Sequence, residues 1–216
     1  MPLHILDNKI WFPDVNDALD DGLLAVGGDL SKERLLLAYR KGIFPWYEDD
    51  IPLWWCPHPR FVLFPQKLKV SSSMHQLLRR KAFDFTVNTA FEAVIENCKK
   101  IKRKDQYGTW INSDVVKAYT RLHREGYAVS AEAWQDGKLA GGLYGIRMGK
   151  VFFGESMFSL VSNASKFAFI KFTRQLIKQD VRLIDCQVYT QHLESLGAEM
   201  IDRNEFIAML EKLVPV

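Results

Sequence analysis

Residues 128–158 read AVSAEAWQDGKLAGGLYGIRMGKVFFGESMF, and their pattern decides the fold. Asp136-Gly137 suits the left-handed backbone of a tight hairpin turn, and Met148-Gly149 marks a second corner. The runs between these corners predict a three-strand antiparallel meander at about 128–134, 138–147 and 150–158. Downstream, apolar spacing predicts a long helix over 164–179, with Phe167, Ile170, Phe172 or Leu176 as core contacts. A strand at 182–188, a helix at 190–196 closed by Gly197, a strand at 198–202 and a helix at 204–213 follow. Upstream lie a short basic helix over 72–81 and a helix through Lys100 behind a Thr89/Glu92 capping box. A third helix, capped by Asn112 or Ser113, ends before Gly126. The expected class is α+β, with a mixed sheet in a domain of residues 63–216. Residues 1–62 are turn-rich and predict a small N-terminal domain. It holds one helix over 32–41, capped by Ser31 and stopped by Gly42, and an ordered loop with short strands around Trp46, Trp54 and Trp55.

Two of the predicted strands carry polar side chains among apolar ones. In Phe152-Phe153-Gly154-Glu155-Ser156-Met157-Phe158, alternation puts Glu155 on the face of Phe153 and Met157. In Leu183-Ile184-Asp185-Cys186-Gln187-Val188, Asp185 and Gln187 share a face, while Ile184 and Cys186 take the other. A carboxylate buried among large apolar neighbours is costly unless it is paired or used. Glu155 and Asp185 are therefore either parts of a reaction site or partners of nearby Lys166 and Arg182. In the first case one carboxylate binds a cation or acts as base, while the Gln187 amide positions the reacting group. Cys186 faces away from Asp185 and Gln187, which favours a structural thiol over a nucleophile paired with His192.

With 48% hydrophobic residues, the 216-residue chain can bury a substantial core. No run of eighteen apolar residues occurs, and the N-terminus lacks a basic region leading into an apolar run. Three scattered cysteines do not make a disulfide framework, so the chain reads as cytoplasmic. Charge is uneven along it. Residues 1–65 carry six Lys and Arg against ten Asp and Glu; residues 66–104 carry ten against three. Arg79, Arg80, Lys81, Lys99, Lys100, Lys102, Arg103 and Lys104 lie in the basic block. Such a block suits phosphates, or simply solvated helix ends where cations favour the dipole.

Several chemistries lack their residues. There is no GxxxxGK[ST] loop and no GxGxxG after a strand. Cys56-Pro57-His58 supplies two metal ligands without a second pair, so no metal is expected. The element order resembles the acyl-CoA-dependent N-acetyltransferase superfamily, a likeness of fold alone. That superfamily places a Gly-rich pyrophosphate loop before the long helix, whereas residues 158–166 here contain no glycine and support no CoA cradle.

Further blocks make a family legible. Gly22-Leu23-Leu24-Ala25-Val26-Gly27-Gly28-Asp29-Leu30-Ser31, Tyr39-Arg40-Lys41-Gly42-Ile43-Phe44-Pro45-Trp46 and Trp54-Trp55-Cys56-Pro57-His58-Pro59-Arg60 come first. Gly108-Thr109-Trp110-Ile111, Gly141-Gly142-Leu143-Tyr144-Gly145, the FGESMFS block at 153–159, Ala164-Ser165-Lys166, the LIDCQ block at 183–187 and Ser195-Leu196-Gly197-Ala198 follow in order. Together they resemble the leucyl/phenylalanyl-tRNA–protein transferase family over residues 12 to about 206. The resemblance implies a bacterial enzyme moving Leu, and less well Phe or Met, from aminoacyl-tRNA to proteins beginning with Arg or Lys, which marks them for degradation. It also implies a small N-terminal domain beside an acetyltransferase-like one. Catalysis would fall to Asp185 and Gln187, acceptor binding to Glu155 with Asp185, and the terminal adenosine of the tRNA to Trp46 and Trp110. Phe153, Met157 and Ile184 would line the aminoacyl side-chain pocket, and the basic block would meet acceptor-stem phosphates. The ester is already activated, so no cofactor is expected. The chain departs from the family at Val129, where a His precedes Ser, and at Cys56 and His58, where Ser and Asp are common.

Overall fold

The computed structural model describes residues 3–47, 50–101 and 110–215. Its N-terminal part holds β1 (His4–Leu6), β2 (Leu23–Gly27), α1 (Lys32–Arg40), β3 (Phe44–Pro45) and β4 (Leu53–Trp55). The strands form a sheet in the order β1-β2-β4-β3, parallel only between β1 and β2. Ser31 caps α1 by accepting from the Arg34 amide. The Arg34 guanidinium is fully buried and donates to the Asp7 and Lys9 carbonyls at 2.7 and 3.0 Å, tying down the N-terminal segment. Gly42 ends the helix with φ of 72°, where a Cβ would also lie 2.8 Å from the Phe206 ring.

The second part holds β5 (Arg60–Leu63), α2 (Ser72–Arg79), β6 (Asp84–Val87), α3 (Phe91–Lys100), α4 (Ser113–Arg124), β7 (Ala128–Gln135), β8 (Lys138–Met148) and β9 (Val151–Ser159). It continues with α5 (Ala164–Lys178), β10 (Leu183–Gln187), α6 (Gln191–Glu194), β11 (Glu199–Ile201) and α7 (Arg203–Leu213). The expected meander is β7-β8-β9, and its corners take positive φ at Asp136, Gly137 and Gly149. The strands form a seven-stranded mixed sheet, β11-β5-β10-β9-β8-β7-β6, parallel only between β9 and β10. The fold is therefore α+β, as the sequence pattern implies. β5 contains the expected division at residue 62 and joins the larger sheet.

Two details differ from the sequence reading. β6 is a four-residue edge strand, too short to announce itself by alternation. The Thr89/Glu92 capping box does not form: Ala90 is the N-cap of α3, and its amide reaches the buried Glu132 carboxylate at 3.5 Å. Asn112 does cap α4, accepting from the Asp114 and Val115 amides.

Helices cover both faces of the large sheet. A Cβ at Gly141 would meet α5 at Ala164, whereas one at Gly142 would approach α3 at Val94. One core layer joins α3, α4, α7 and the N-terminal part, including Leu24, Tyr39, Val94, Tyr119, Phe153 and Phe206. The other joins α2 and α5, including Met74, Phe152, Phe167, Phe172 and Ile184. Two bulges interrupt the sheet at its centre. On β9, Tyr144 pairs with Ser156 and Gly145 with Gly154, leaving Glu155 as the extra residue. On β10, Asp185 pairs with Val62 and Gln187 with Phe61, leaving Cys186 extra.

Gly145 faces the first bulge so closely that a Cβ there would lie 2.1 Å from the Phe153 carbonyl oxygen. Gly145→Ala should therefore destabilise the protein by about 2–3 kcal/mol, a fall in Tm of about 5–10 °C by differential scanning calorimetry. An unchanged Tm would mean that the bulge has room to spare.

Candidate active site

β9 and β10 pair only between residues 151–153 and 183–185. Past those pairs a cavity of about 1040 Å³ opens between Gly154–Ser159 on one side and Asp185–Thr190 on the other. Phe44, Pro45 and Trp46 from the N-terminal part, Ile101 and Trp110 before α4, and Ser165 and Phe169 of α5 complete its walls.

Glu155 lies at the base of the wedge and is 8% exposed. Its Oε1 accepts from the Tyr39 hydroxyl at 2.8 Å and from the Gln187 amide Nε2 at 2.9 Å. Its Oε2 accepts from the Tyr119 hydroxyl at 3.1 Å, and the two tyrosine hydroxyls also touch each other. Among the described residues no Lys, Arg or His forms an ion pair with Glu155. Burial pushes its pKa up from 4.5 to about 7, against the lowering effect of the tyrosine and Gln187 donors. Burial and the same carboxylate hold both tyrosines well above their ordinary value.

Asp185 is fully buried, and neither Lys166 nor Arg182 reaches it. Its partner is Arg60, whose Nε and Nη2 donate to Oδ1 and Oδ2 at 2.8 and 2.6 Å. The charge of Asp185 is thus already matched inside the protein by Arg60. Asp185 Oδ1 also accepts from the Gln187 main-chain amide at 2.9 Å. Gln187 has φ of 64°, in the left-handed region that favours glycine, and its side chain crosses the wedge to Glu155. Cys186 is buried, and burial raises its thiol pKa far above the ordinary value, which opposes formation of the thiolate.

The other expected site residues divide. Trp46 and Trp110 line the cavity together, as do Met157 and Ile184. Phe153 does not: it is fully buried and packs on Tyr39 at 5.1 Å, while Phe152 takes the cavity wall. The Glu155 bulge explains part of this, since it shifts Met157 onto the α5 face, away from that of Phe153 and Glu155. Arg79, Arg80 and Lys81 close α2 on the α5 side of the sheet, and Lys99 and Lys100 close α3 on the opposite side, next to Ile101 at the cavity. The basic block is thus divided by the sheet. Lys102, Arg103 and Lys104 lie outside the described residues. Cys56 is buried and His58 exposed, and among the described residues no group of three metal-ligating side chains comes together.

Sequence reading missed Tyr39, Arg60 and Tyr119 as site residues. Their partners lie 116, 125 and 36 positions away, beyond the reach of any local pattern. Arg60 left one trace, a charge at the head of the apolar run Phe61-Val62-Leu63-Phe64.

Comparison with known proteins identifies the family. The family model for leucyl/phenylalanyl-tRNA protein transferase matches residues 62–211, and the model of that family's N-terminal domain matches residues 28–58. A leucyl/phenylalanyl-tRNA–protein transferase of Christiangramia forsetii is 56% identical over 96% of this chain and 100% of its own length. One from Flavobacterium johnsoniae is 53% identical over 97% of this chain and 99% of its own. One from Syntrophobacter fumaroxidans is 50% identical over all of this chain and 92% of its own. Among solved structures, a GCN5-related N-acetyltransferase-like protein from Streptococcus suis is similar over 66% of this chain and 59% of that one (TM-score 0.37, 14% identity). The chain belongs to the leucyl/phenylalanyl-tRNA protein transferase family, whose members are aminoacyltransferases.

Proposed function

We propose that the wedge between β9 and β10 transfers the aminoacyl group from the 3′ end of an aminoacyl-tRNA to the α-amine of a protein that begins with Arg or Lys. The observation that carries this reading is the Glu155–Gln187 hydrogen bond at the base of a cavity flanked by Trp46 and Trp110. Trp46 and Trp110 offer the terminal adenosine planar faces for stacking. Phe152, Met157 and Ile184 surround the aminoacyl side chain, which suits Leu and separates it only weakly from Met or Phe. Glu155 faces the cationic acceptor, and a bound cation favours its ionised form.

In the transfer step the acceptor α-amine attacks the ester carbonyl carbon. The new carbon–nitrogen bond forms as the bond to the 3′ oxygen breaks, and that oxygen leaves as the hydroxyl of the tRNA. Gln187 Nε2 is held by Glu155, which turns Gln187 Oε1 toward the amine as hydrogen-bond acceptor. Gln187 is the catalytic residue, and Asp185 positions it. Lys99 and Lys100, beside the cavity, and Arg79, Arg80 and Lys81, across the sheet, are candidates for stem phosphates. The product carries Leu, Phe or Met ahead of its Arg or Lys and is thereby marked for degradation. Aminoacyl-tRNA as donor puts the reaction in the cytoplasm.

A transfer assay offering leucyl-, phenylalanyl- and methionyl-tRNA to peptides beginning with Arg, Lys, Asp and Glu tests the reading. Leu onto Arg and Lys should dominate; transfer only onto acidic peptides, or none, would sink it. Trp46→Ala or Trp110→Ala should raise KM for aminoacyl-tRNA by about 10–100-fold, the value of one stacked base. Gln187→Ala should lower kcat by about 100-fold.

Glu155 also sets a pH dependence. Because its pKa of about 7 exceeds the 4.5 of the unfolded chain, the folded protein binds this proton more tightly. The stability it contributes is complete below pH 4.5 and is lost as pH rises through about 7, a change of about 3 kcal/mol. Thermal melts should show Glu155→Gln gaining stability relative to the parent between pH 5 and 8. In the parent, kcat/KM for an Arg-initiated peptide should rise through about pH 7 as the carboxylate forms, and this limb should vanish in Glu155→Gln.

A further inference from the structure

Arg60 is 1% exposed, and its guanidinium carbon lies 4.8 Å from the Phe44 ring centroid and 4.6 Å from that of Phe206. This cation is therefore held between an aromatic of the N-terminal part and one of α7. From there it grips both oxygens of Asp185, and Asp185 Oδ1 in turn accepts from the Gln187 main chain. Gln187 needs that anchor for a physical reason. Its left-handed φ of 64° is unfavourable for a residue with a Cβ, and the β10 bulge removes regular ladder pairing around it.

We propose that Arg60 is a positioning residue for aminoacyl transfer: it locks Asp185 as the anchor of the Gln187 main chain, so that Asp185 neither binds the acceptor's charge nor takes its proton. A second cation at Asp185 would have to displace a guanidinium already bound at 2.6 and 2.8 Å in a fully buried site. Recognition of the acceptor cation then rests on Glu155 alone of these two carboxylates. The chain of contacts runs from Phe44 and Phe206 through Arg60, Asp185 and the Gln187 main chain to the Gln187 carboxamide, which reaches Glu155. The inference rests on the transfer reaction proposed above.

The test compares steady-state transfer of labelled Leu to an Arg-initiated peptide in the parent and three variants, with thermal melts of each. Asp185→Asn alone strands the buried Arg60 charge and should lower Tm. Arg60→Met combined with Asp185→Asn removes both charges, and the Asn carbonyl oxygen still accepts from the Gln187 amide. This double variant should recover most of the lost Tm, keep KM for the peptide within about twofold and lose about tenfold or less in kcat. Arg60→Lys keeps the charge but cannot grip both oxygens, so kcat should fall about tenfold with peptide KM unchanged. A well-folded double variant with kcat down more than about 100-fold, or with a raised peptide KM, would show that the Asp185 charge is itself used and would overturn the proposal. Full kcat in Arg60→Lys would overturn it as well. A parent protein inactive with every charged tRNA would instead overturn the functional reading on which it rests.

Discussion

Glu155 and Asp185 lie buried in one hydrogen-bonded network, and among the described residues only Asp185 is paired with a cation. Asp185 receives Arg60, bidentate and enclosed by two aromatic rings. Glu155 receives three neutral donors and no cation among the described residues. Desolvating a carboxylate costs several kcal/mol, and neutral hydrogen bonds offset only part of that. The imbalance leaves Glu155 with a pKa near 7 and makes the base of the cavity complementary to positive charge. Asp185 is thus matched by a guanidinium inside the protein, while Glu155 meets neutral donors alone among the described residues.

This arrangement requires both parts of the chain. Tyr39 on α1, Phe44 on β3 and Arg60 at the start of β5 reach the network from the N-terminal side. Tyr119 on α4 and Phe206 on α7 reach it from the C-terminal side. One apolar layer packs residues of both parts together, and Phe44, Pro45 and Trp46 of the first sixty residues form part of the wall of the site. The wedge itself exists because β9 and β10 stop pairing after three residues, and a bulge sits at each strand's functional residues. Bulges re-aim side chains at the cost of ladder hydrogen bonds, and sheet irregularities of this kind suit a place where a ligand must approach the backbone.

The meander, the long helix and the later strands were legible because their signals are local: Asp136-Gly137 and Gly149 at the corners, and apolar periodicity between them. Glu155 and Gln187 stood out as polar side chains in apolar strands, and both line the cavity. Alternation misplaced the face of Met157 because a one-residue bulge flips the side chains beyond it, and nothing in Gly154-Glu155-Ser156 announces that extra residue. The capping box at Thr89 failed for a related reason, since Glu132 on a neighbouring strand serves the helix end instead. The basic block looked continuous along the chain, yet β6 carries it from one face of the sheet to the other.

By itself, then, the sequence determined the elements from the meander onward, the mixed α+β class, the family and the polar residues worth watching. These follow from propensity, periodicity and ordered blocks, all of which act over short stretches of chain. Tertiary structure alone decided that Arg60 pairs with Asp185. Arg60 and Asp185 are 125 residues apart, and only the pairing of β5 with β10 brings them together. Burial then turns that proximity into a fixed ion pair, while Glu155 meets only neutral donors among the described residues, because a charge removed from water is governed by whichever partners the fold places within hydrogen-bonding reach.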